Sequence, residues 1–128
     1  MTGKKTILVV DDNKEFLELL EILLQNAGFQ VQLAQEAPKA QEIMEASLPD
    51  AILLDVMMPV RNGIEFLENL RWNARFEHIP VIILTAMTLD DEQMEFVETF
   101  ATAHLDKGRT TEVVDILNGI LKEDSEPA

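Results

Sequence analysis

The chain contains no cysteine, so disulfide scaffolds, thiolate metal centres and cysteine nucleophiles are excluded. It has no tyrosine and an aromatic fraction of only 5%, which leaves few platforms for stacking bases. Positive charge is scarce: 10 Lys and Arg stand against 24 Asp and Glu, a net charge of −14. Such a field repels phosphate backbones and anionic lipid, so neither nucleic acid nor a membrane is an expected partner. No apolar run approaches the roughly 18 residues that a membrane helix needs. Lys4 and Lys5 precede the apolar run Ile7–Val10, but Asp11 and Asp12 end it too early for a secretory core. A cytoplasmic setting is expected. A Gly-rich phosphate loop is also missing, which argues against a bound nucleotide.

What is present fits one α/β domain. With 128 residues, 47% of them hydrophobic, the chain is long enough to bury about two thirds of its unfolded surface. Short apolar runs alternate with amphipathic stretches. The runs are Ile7–Val10, Val31–Ala34, Ala51–Leu54, Val81–Leu84 and a weaker one around Ala101–Leu105. Continuous rather than alternating apolar character is the mark of strands buried on both faces of a parallel sheet. Between the runs, Phe16, Leu19, Leu20, Leu23, Leu24 and Ala27 recur at helical spacing, with Gly28 placed as a C-terminal cap. Pro38 opens a second helical pattern through Ala40, Ile43, Met44 and Leu48. Ile64, Leu67 and Leu70 form a third, Met94, Val97 and Ala101 a fourth, and Val113, Val114, Leu117, Ile120 and Leu121 a fifth. The βαβ alternation predicts a five-stranded parallel sheet sandwiched between helices. The domain is expected to span 1–122, with a polar tail over 123–128.

In open α/β sheets the site forms beyond the carboxyl ends of the strands. The first run ends in Asp11-Asp12, the third in Asp55, the fourth in Thr85, and the fifth near Lys107. Three carboxylates, a hydroxyl and an ammonium thus converge on one edge. Carboxylates about 4 Å apart repel by roughly 4 kcal/mol at an effective dielectric of 20, so they call for a cation. All-oxygen ligands suit Mg²⁺, with Mn²⁺ as a substitute, rather than zinc. One carboxylate is then free to attack phosphorus and form an acyl phosphate, with the ammonium and hydroxyl stabilising the transferring group.

The bland readings compete with this one residue by residue. Asp12 or Asn13 could merely cap the first helix, Thr85 could satisfy backbone groups, and His104 could be a packed strand residue. His78 reads as a surface residue, and Glu92, Glu95 and Glu98 as a solvated helix face.

Taken together, Asp11-Asp12, the element Leu53-Leu54-Asp55-Val56-Met57-Met58-Pro59 followed by Gly63, Leu84-Thr85-Ala86 and the late Lys107 resemble the receiver domain of two-component response regulators. The resemblance runs from about Ile7 to Leu121. It implies a flavodoxin-like three-layer sandwich of strand order 2-1-3-4-5 with five helices. It implies that Asp55 accepts a phosphoryl group from the phosphohistidine of a sensor kinase or phosphotransfer protein. Asp12, Asp55 and the Met57 backbone carbonyl would ligate Mg²⁺ directly, with Asp11 acting through water. Thr85 and Lys107 would hold the phosphoryl group, and Thr85 and His104 would act as the switch. The altered surface of the fourth helix, fifth strand and fifth helix would then meet a downstream protein target. Intrinsic autophosphorylation and autodephosphorylation go with that reading.

Three positions depart from the family pattern. Gly108 follows Lys107 where a proline is usual, His104 replaces an aromatic residue, and Phe100 replaces a glycine before the fifth strand. The first predicts a looser Lys107 loop, the last an altered turn. Met57 and Met87, two residues beyond Asp55 and Thr85, are apolar and predict slow loss of the phosphoryl group. With no output domain in the sequence, a stand-alone receiver or phosphorelay component is the expectation, with a receiver cut from a longer regulator as the other reading. The alternatives are a constitutive scaffold of receiver shape, motivated by those departures, and a Mg²⁺-dependent aspartyl phosphatase. Val56 and Met57 argue against the latter, because they follow Asp55 where an acid–base carboxylate belongs.

Overall fold

A computed structural model of the chain describes residues 4–56, 63–85 and 89–125, and side chains as far as Leu121. Five strands, β1 (Thr6–Val10), β2 (Gln30–Ala34), β3 (Ala51–Leu54), β4 (Val81–Thr85) and β5 (Ala103–Asp106), form one sheet. Its order is β2-β1-β3-β4-β5 and every pairing is parallel. The helices are α1 (Lys14–Asn26), α2 (Ala37–Ala46), α3 (Gly63–Arg71), α4 (Asp91–Phe100) and α5 (Val113–Ser125). This is the 2-1-3-4-5 flavodoxin-like sandwich that the sequence predicts.

The pleat sorts the strand residues into two cores. Leu8 and Val10, Ile52 and Leu54, and Val81 and Ile83 pack with Ala40, Met44, Phe66, Leu67 and Val97 on the α2–α3–α4 side. Ile7 and Val9, Leu53, and Ile82 and Leu84 pack with Leu20, Leu24, Leu117 and Leu121 on the α1–α5 side. The four apolar residues of β1, all of β3 and all of β4 are thus buried, whichever face they point to. That is why their sequences run apolar without alternation.

Local chemistry sets the ends. Asn13 caps α1, its side chain accepting from the Phe16 N–H at 3.0 Å. Gly28 closes the same helix at φ 97°, with its N–H donating to Gln25 O and the Phe29 N–H to Leu24 O. Only glycine adopts that φ cheaply, and the paired bonds consume the last carbonyls. Asp90 and Gln93 form a reciprocal capping box on α4.

Several expectations shift. In α1 the buried residues are Leu17, Leu20 and Leu24, whereas Leu19 is 54% exposed and Ala27 is the exposed cap. The helix carries apolar residues well beyond its core stripe, and spacing alone picked the wrong edge of that surface. Leu48 lies past the end of α2 and is exposed. In α3 the buried set is Phe66, Leu67 and Leu70, with Ile64 only partly covered. β5 begins at Ala103, not Ala101, because α4 runs on to Phe100. Only Leu105 in β5 is buried, which explains its faint signal. α5 continues to Ser125, three residues into the segment expected to be tail.

Arg71, the last residue of α3, ties the lower end of the α2–α3–α4 layer together. Its Nε donates to Phe100 O at 2.8 Å, and one terminal nitrogen donates to Glu77 O at 3.0 Å and Ile79 O at 2.8 Å. A planar guanidinium holds three carbonyls, one at the end of α4 and two in the loop before β4, in one fork.

Candidate functional site

β1 and β3 are neighbours in the sheet, and both ladders run on into the site. The Asp11 N–H donates to Ala34 O, and the Asp55 N–H to Val10 O, each at 3.0 Å. Asp11 and Asp55 therefore leave the ends of adjacent strands on fixed backbone. Each of Asp11, Asp12 and Asp55 offers a carboxylate oxygen within 4.8 Å of the others. Asp11 and Asp55 are buried while Asp12 faces solvent. Because Asn13 supplies the α1 cap, Asp12 is not the capping residue. A cluster of three carboxylates with one open side has the donor set of a hard divalent cation.

Gly63 explains why Asp55 is held so closely. A Cβ built on it would stand 2.3 Å from Asp55 O and 2.4 Å from Val56 Cα, and its N–H donates to Val56 O at 2.9 Å. The first turn of α3 thus lies directly against the Asp55–Val56 peptide, at a separation no side chain fits. Gly63 belongs to the motif in the sequence, but its reason appears only in three dimensions.

Lys107, the first residue of a 3₁₀ segment Lys107–Glu112 after β5, reaches back across the sheet. Its Nζ pairs with Asp11 Oδ2 at 2.7 Å and lies 3.5 Å from Asp55 Oδ2. It also sits 4.4 Å from the centroid of the Phe16 ring, a cation–π contact that shields the ammonium from water. Phe16 thus serves the site as well as the core. Burial acts to lower the Lys107 pKa, but hydrogen bonding and charge from Asp11 and Asp55 outweigh it, and the pKa is raised. The Asp11 pKa is raised too, which for a carboxylate disfavours the charged form. Burial pushes its pKa up, against the opposing pull of Lys107 and the Asn13 N–H, and Asp55 adds to the rise.

The Lys107 loop is tied by local hydrogen bonds despite Gly108. The Lys107–Gly108 peptide is trans. The Asp106 carboxylate accepts from the Gly108 N–H at 2.6 Å, and Thr110 Oγ1 donates to Lys107 O at 2.5 Å. Thr110 is buried. Asp106 and Thr110 were missed in the sequence, although Asp-x-Gly is the spacing of an Asx turn. The turn after Phe100 is equally ordered, with the Thr102 N–H donating to Val81 O and the Val81 N–H to Thr102 Oγ1.

Thr85 is buried at the end of β4, between the strands that carry Asp55 and Lys107. Thr85 and His104 line one cavity of about 280 Å³ together with Leu89, Met94 and Arg109. His104 itself is exposed on β5, as is His78 before β4. Met57, Met58, Pro59, Ala86 and Met87 lie outside the described residues, so the expected Met57 carbonyl ligand has no geometry here. Among the described residues, no helix is long and apolar enough to cross a membrane.

Comparison with known proteins agrees with this arrangement. Residues 7–118 match the response regulator receiver domain. The response regulator Rre1 of Synechocystis sp. is 35% identical over 103 residues, which cover 80% of this chain and 45% of that protein. The transcriptional regulatory protein CpxR of Escherichia coli is 40% identical over 101 residues, 79% of this chain and 42% of that protein. The chain therefore spans less than half the length of these relatives. Among solved structures, a response regulator from Chloroflexus aurantiacus superposes with a TM-score of 0.85 at 29% identity, covering 94% of this chain and 99% of that one. The chemotaxis response regulator CheY4 of Vibrio cholerae gives 0.80 at 27% identity, covering 94% and 98%. With the family matched along most of its length and the acidic cluster at the expected sheet edge, the chain belongs to the response regulator receiver domains of two-component signalling.

Proposed function

We propose that Asp55 is the phosphoacceptor, and that the chain takes its phosphoryl group from a phosphohistidine on a sensor kinase or phosphotransfer protein. One observation carries the reading: Asp11, Asp12 and Asp55 offer carboxylate oxygens within 4.8 Å of one another, a spacing that suits one small cation, and Lys107 lies against both buried members. An Asp55 oxygen attacks phosphorus, the P–N bond breaks, and the imidazole leaves with its electron pair. Asp11, Asp12 and Asp55 would hold Mg²⁺, which neutralises charge on the acceptor carboxylate and the incoming phosphoryl group. Lys107 would exchange its 3.5 Å approach to Asp55 for a phosphoryl oxygen while keeping Asp11, a reading its two ion pairs support. Thr85 is assigned to another phosphoryl oxygen from the end of β4, and His104, on the same cavity, to the response of β5.

The same acceptor chemistry extends to small acyl phosphates, giving autophosphorylation, with attack by water giving autodephosphorylation. The phosphorylated chain then acts on a downstream protein. A constitutive scaffold is not favoured, because Phe100, His104 and Gly108 leave the acidic cluster and the Lys107 turn intact. Intact-mass measurement after incubation with acetyl phosphate and Mg²⁺ tests the proposal. A single phosphoryl adduct is expected, absent from Asp55→Asn and in the presence of a chelator. An adduct that survives in Asp55→Asn would overturn it.

A further inference from the structure

Away from the acidic cluster, α3 and α4 enclose a groove of about 320 Å³ lined by Ile64, Glu92, Glu95, Phe96, Thr99 and Phe100. Its floor is aromatic. Phe96 and Phe100, one turn apart, stack with ring centroids 4.6 Å apart at 43°. Both are only half-buried, an unusual place for two phenylalanines in a chain with 6 of them. The α4 side of the groove is acidic: α4 carries Asp91, Glu92, Glu95 and Glu98 and no lysine or arginine. Glu92, Glu95, Phe96, Thr99 and Phe100 fall at helical spacing on one face. The Thr99 hydroxyl is already spent on Glu95 O at 2.8 Å and the Gln93 amide oxygen on the Asp90 N–H at 3.0 Å, so the carboxylates of Glu92 and Glu95 are the charged handles among the described lining residues.

Both walls are tied to the rest of the fold. On one side Gly63 seats α3 against the Asp55–Val56 peptide. At the far end the Arg71 guanidinium holds Phe100 O. An apolar slot with tied walls and an acidic side loses little entropy on binding and selects its partner by charge.

We infer that the groove between α3 and α4 docks a cationic amphipathic helix of a partner protein, with an apolar side chain on Phe96 and Phe100 and flanking Lys or Arg on Glu92 and Glu95. An aromatic floor at helical spacing suits a helix laid in a groove. Nucleic acid and anionic lipid are repelled by the acidic side, and a second copy of this chain brings its own net −14.

The test uses the unphosphorylated full chain, so its failure leaves the Asp55 chemistry untouched. The probe is a 14-residue Leu/Lys peptide with helical spacing of its leucines, titrated against the labelled protein by NMR. A Ser/Lys peptide of equal charge runs beside it. Saturable shifts centred on Ile64, Phe96, Thr99 and Phe100 are expected, with the Ser/Lys peptide at least tenfold weaker. The double variant Glu92→Lys/Glu95→Lys should weaken binding at least tenfold, and Glu15→Lys/Glu18→Lys, an equal charge change on exposed α1 positions, less than threefold. Equal loss in both double variants would mean that net charge alone attracts the peptide. That outcome, shifts spread over the whole surface, peptide-driven dimerisation, or no binding would each overturn the inference.

Discussion

The two ends of the sheet treat polar groups in opposite ways. At the amino end of the strands, charged and polar side chains are consumed by backbone. Asp50 accepts from the Thr6 N–H at 2.7 Å, and Thr102 Oγ1 accepts from the Val81 N–H at 3.1 Å. Arg71 gives its guanidinium to three carbonyls. At the carboxyl end, carboxylates face one another within 4.8 Å, and one lysine serves two of them. The first end is arranged to hold the fold. The second keeps like charges together at a cost, which is the mark of a site waiting for a charged ligand.

That contrast is open to attack by substitution. The largest effect falls on chemistry alone: Asp55→Asn abolishes the phosphoryl adduct while the melting temperature in metal-free buffer holds or rises, checked by mass measurement and calorimetry on one sample. Arg71→Met, at the opposite end, does the reverse. It strands three carbonyls and costs about 3 kcal/mol of stability, read from denaturant midpoints, while the adduct still forms well below the new melting temperature. Gly63→Ala touches both ends of the account. The added methyl meets Asp55 O at 2.3 Å, so α3 or the Asp55 peptide must move. A loss of about 1–3 kcal/mol is expected, together with slower adduct formation. Unchanged stability would show that the close approach is not needed.

The smallest effect carries the clearest sign. The pKa of Asp11 is raised in the folded chain, chiefly by burial. A carboxyl with a raised folded pKa contributes stability that is full below its unfolded pKa and is lost as pH rises through the folded one. Ionised Asp11, above its folded pKa, is therefore a burden on the fold. Asp11→Asn should raise the melting temperature in metal-free buffer, and the advantage should shrink as Mg²⁺ is added, because the cation stabilises the parent chain by binding it. A lower melting temperature without metal would mean that the Asp11–Lys107 pair outweighs the burial of its charge.

Much of this molecule is legible in its sequence, and the parts that are not have physical reasons. The apolar runs of β1, β3 and β4 read clearly because those strands are covered on both faces, and Ala51–Leu54 matches β3 residue for residue. β5, at the sheet edge, buries Leu105 alone, so its start was read two residues early. α1 hid its core stripe because Leu19 and Ile22 are apolar yet exposed. The candidate site residues Asp11, Asp12, Asp55, Thr85 and Lys107 stood out because strand ends converge. What stayed hidden depends on contacts between residues remote in the chain: Phe16 under the Lys107 ammonium, Gly63 against the Asp55 peptide, and Arg71 reaching Phe100. Thr110 beneath the Lys107 turn was equally silent, since a threonine three residues past a lysine has no signature of its own.

One bond decides the proposed chemistry: an Asp55 carboxylate oxygen to phosphorus. The direct measurement is to treat the chain with acetyl phosphate and Mg²⁺, reduce the acyl phosphate with borohydride, and sequence the peptides by tandem mass spectrometry. Homoserine in place of aspartate at position 55, and at no other aspartate, is the predicted result. Homoserine at position 11 or 12, or an adduct on a histidine, would contradict it.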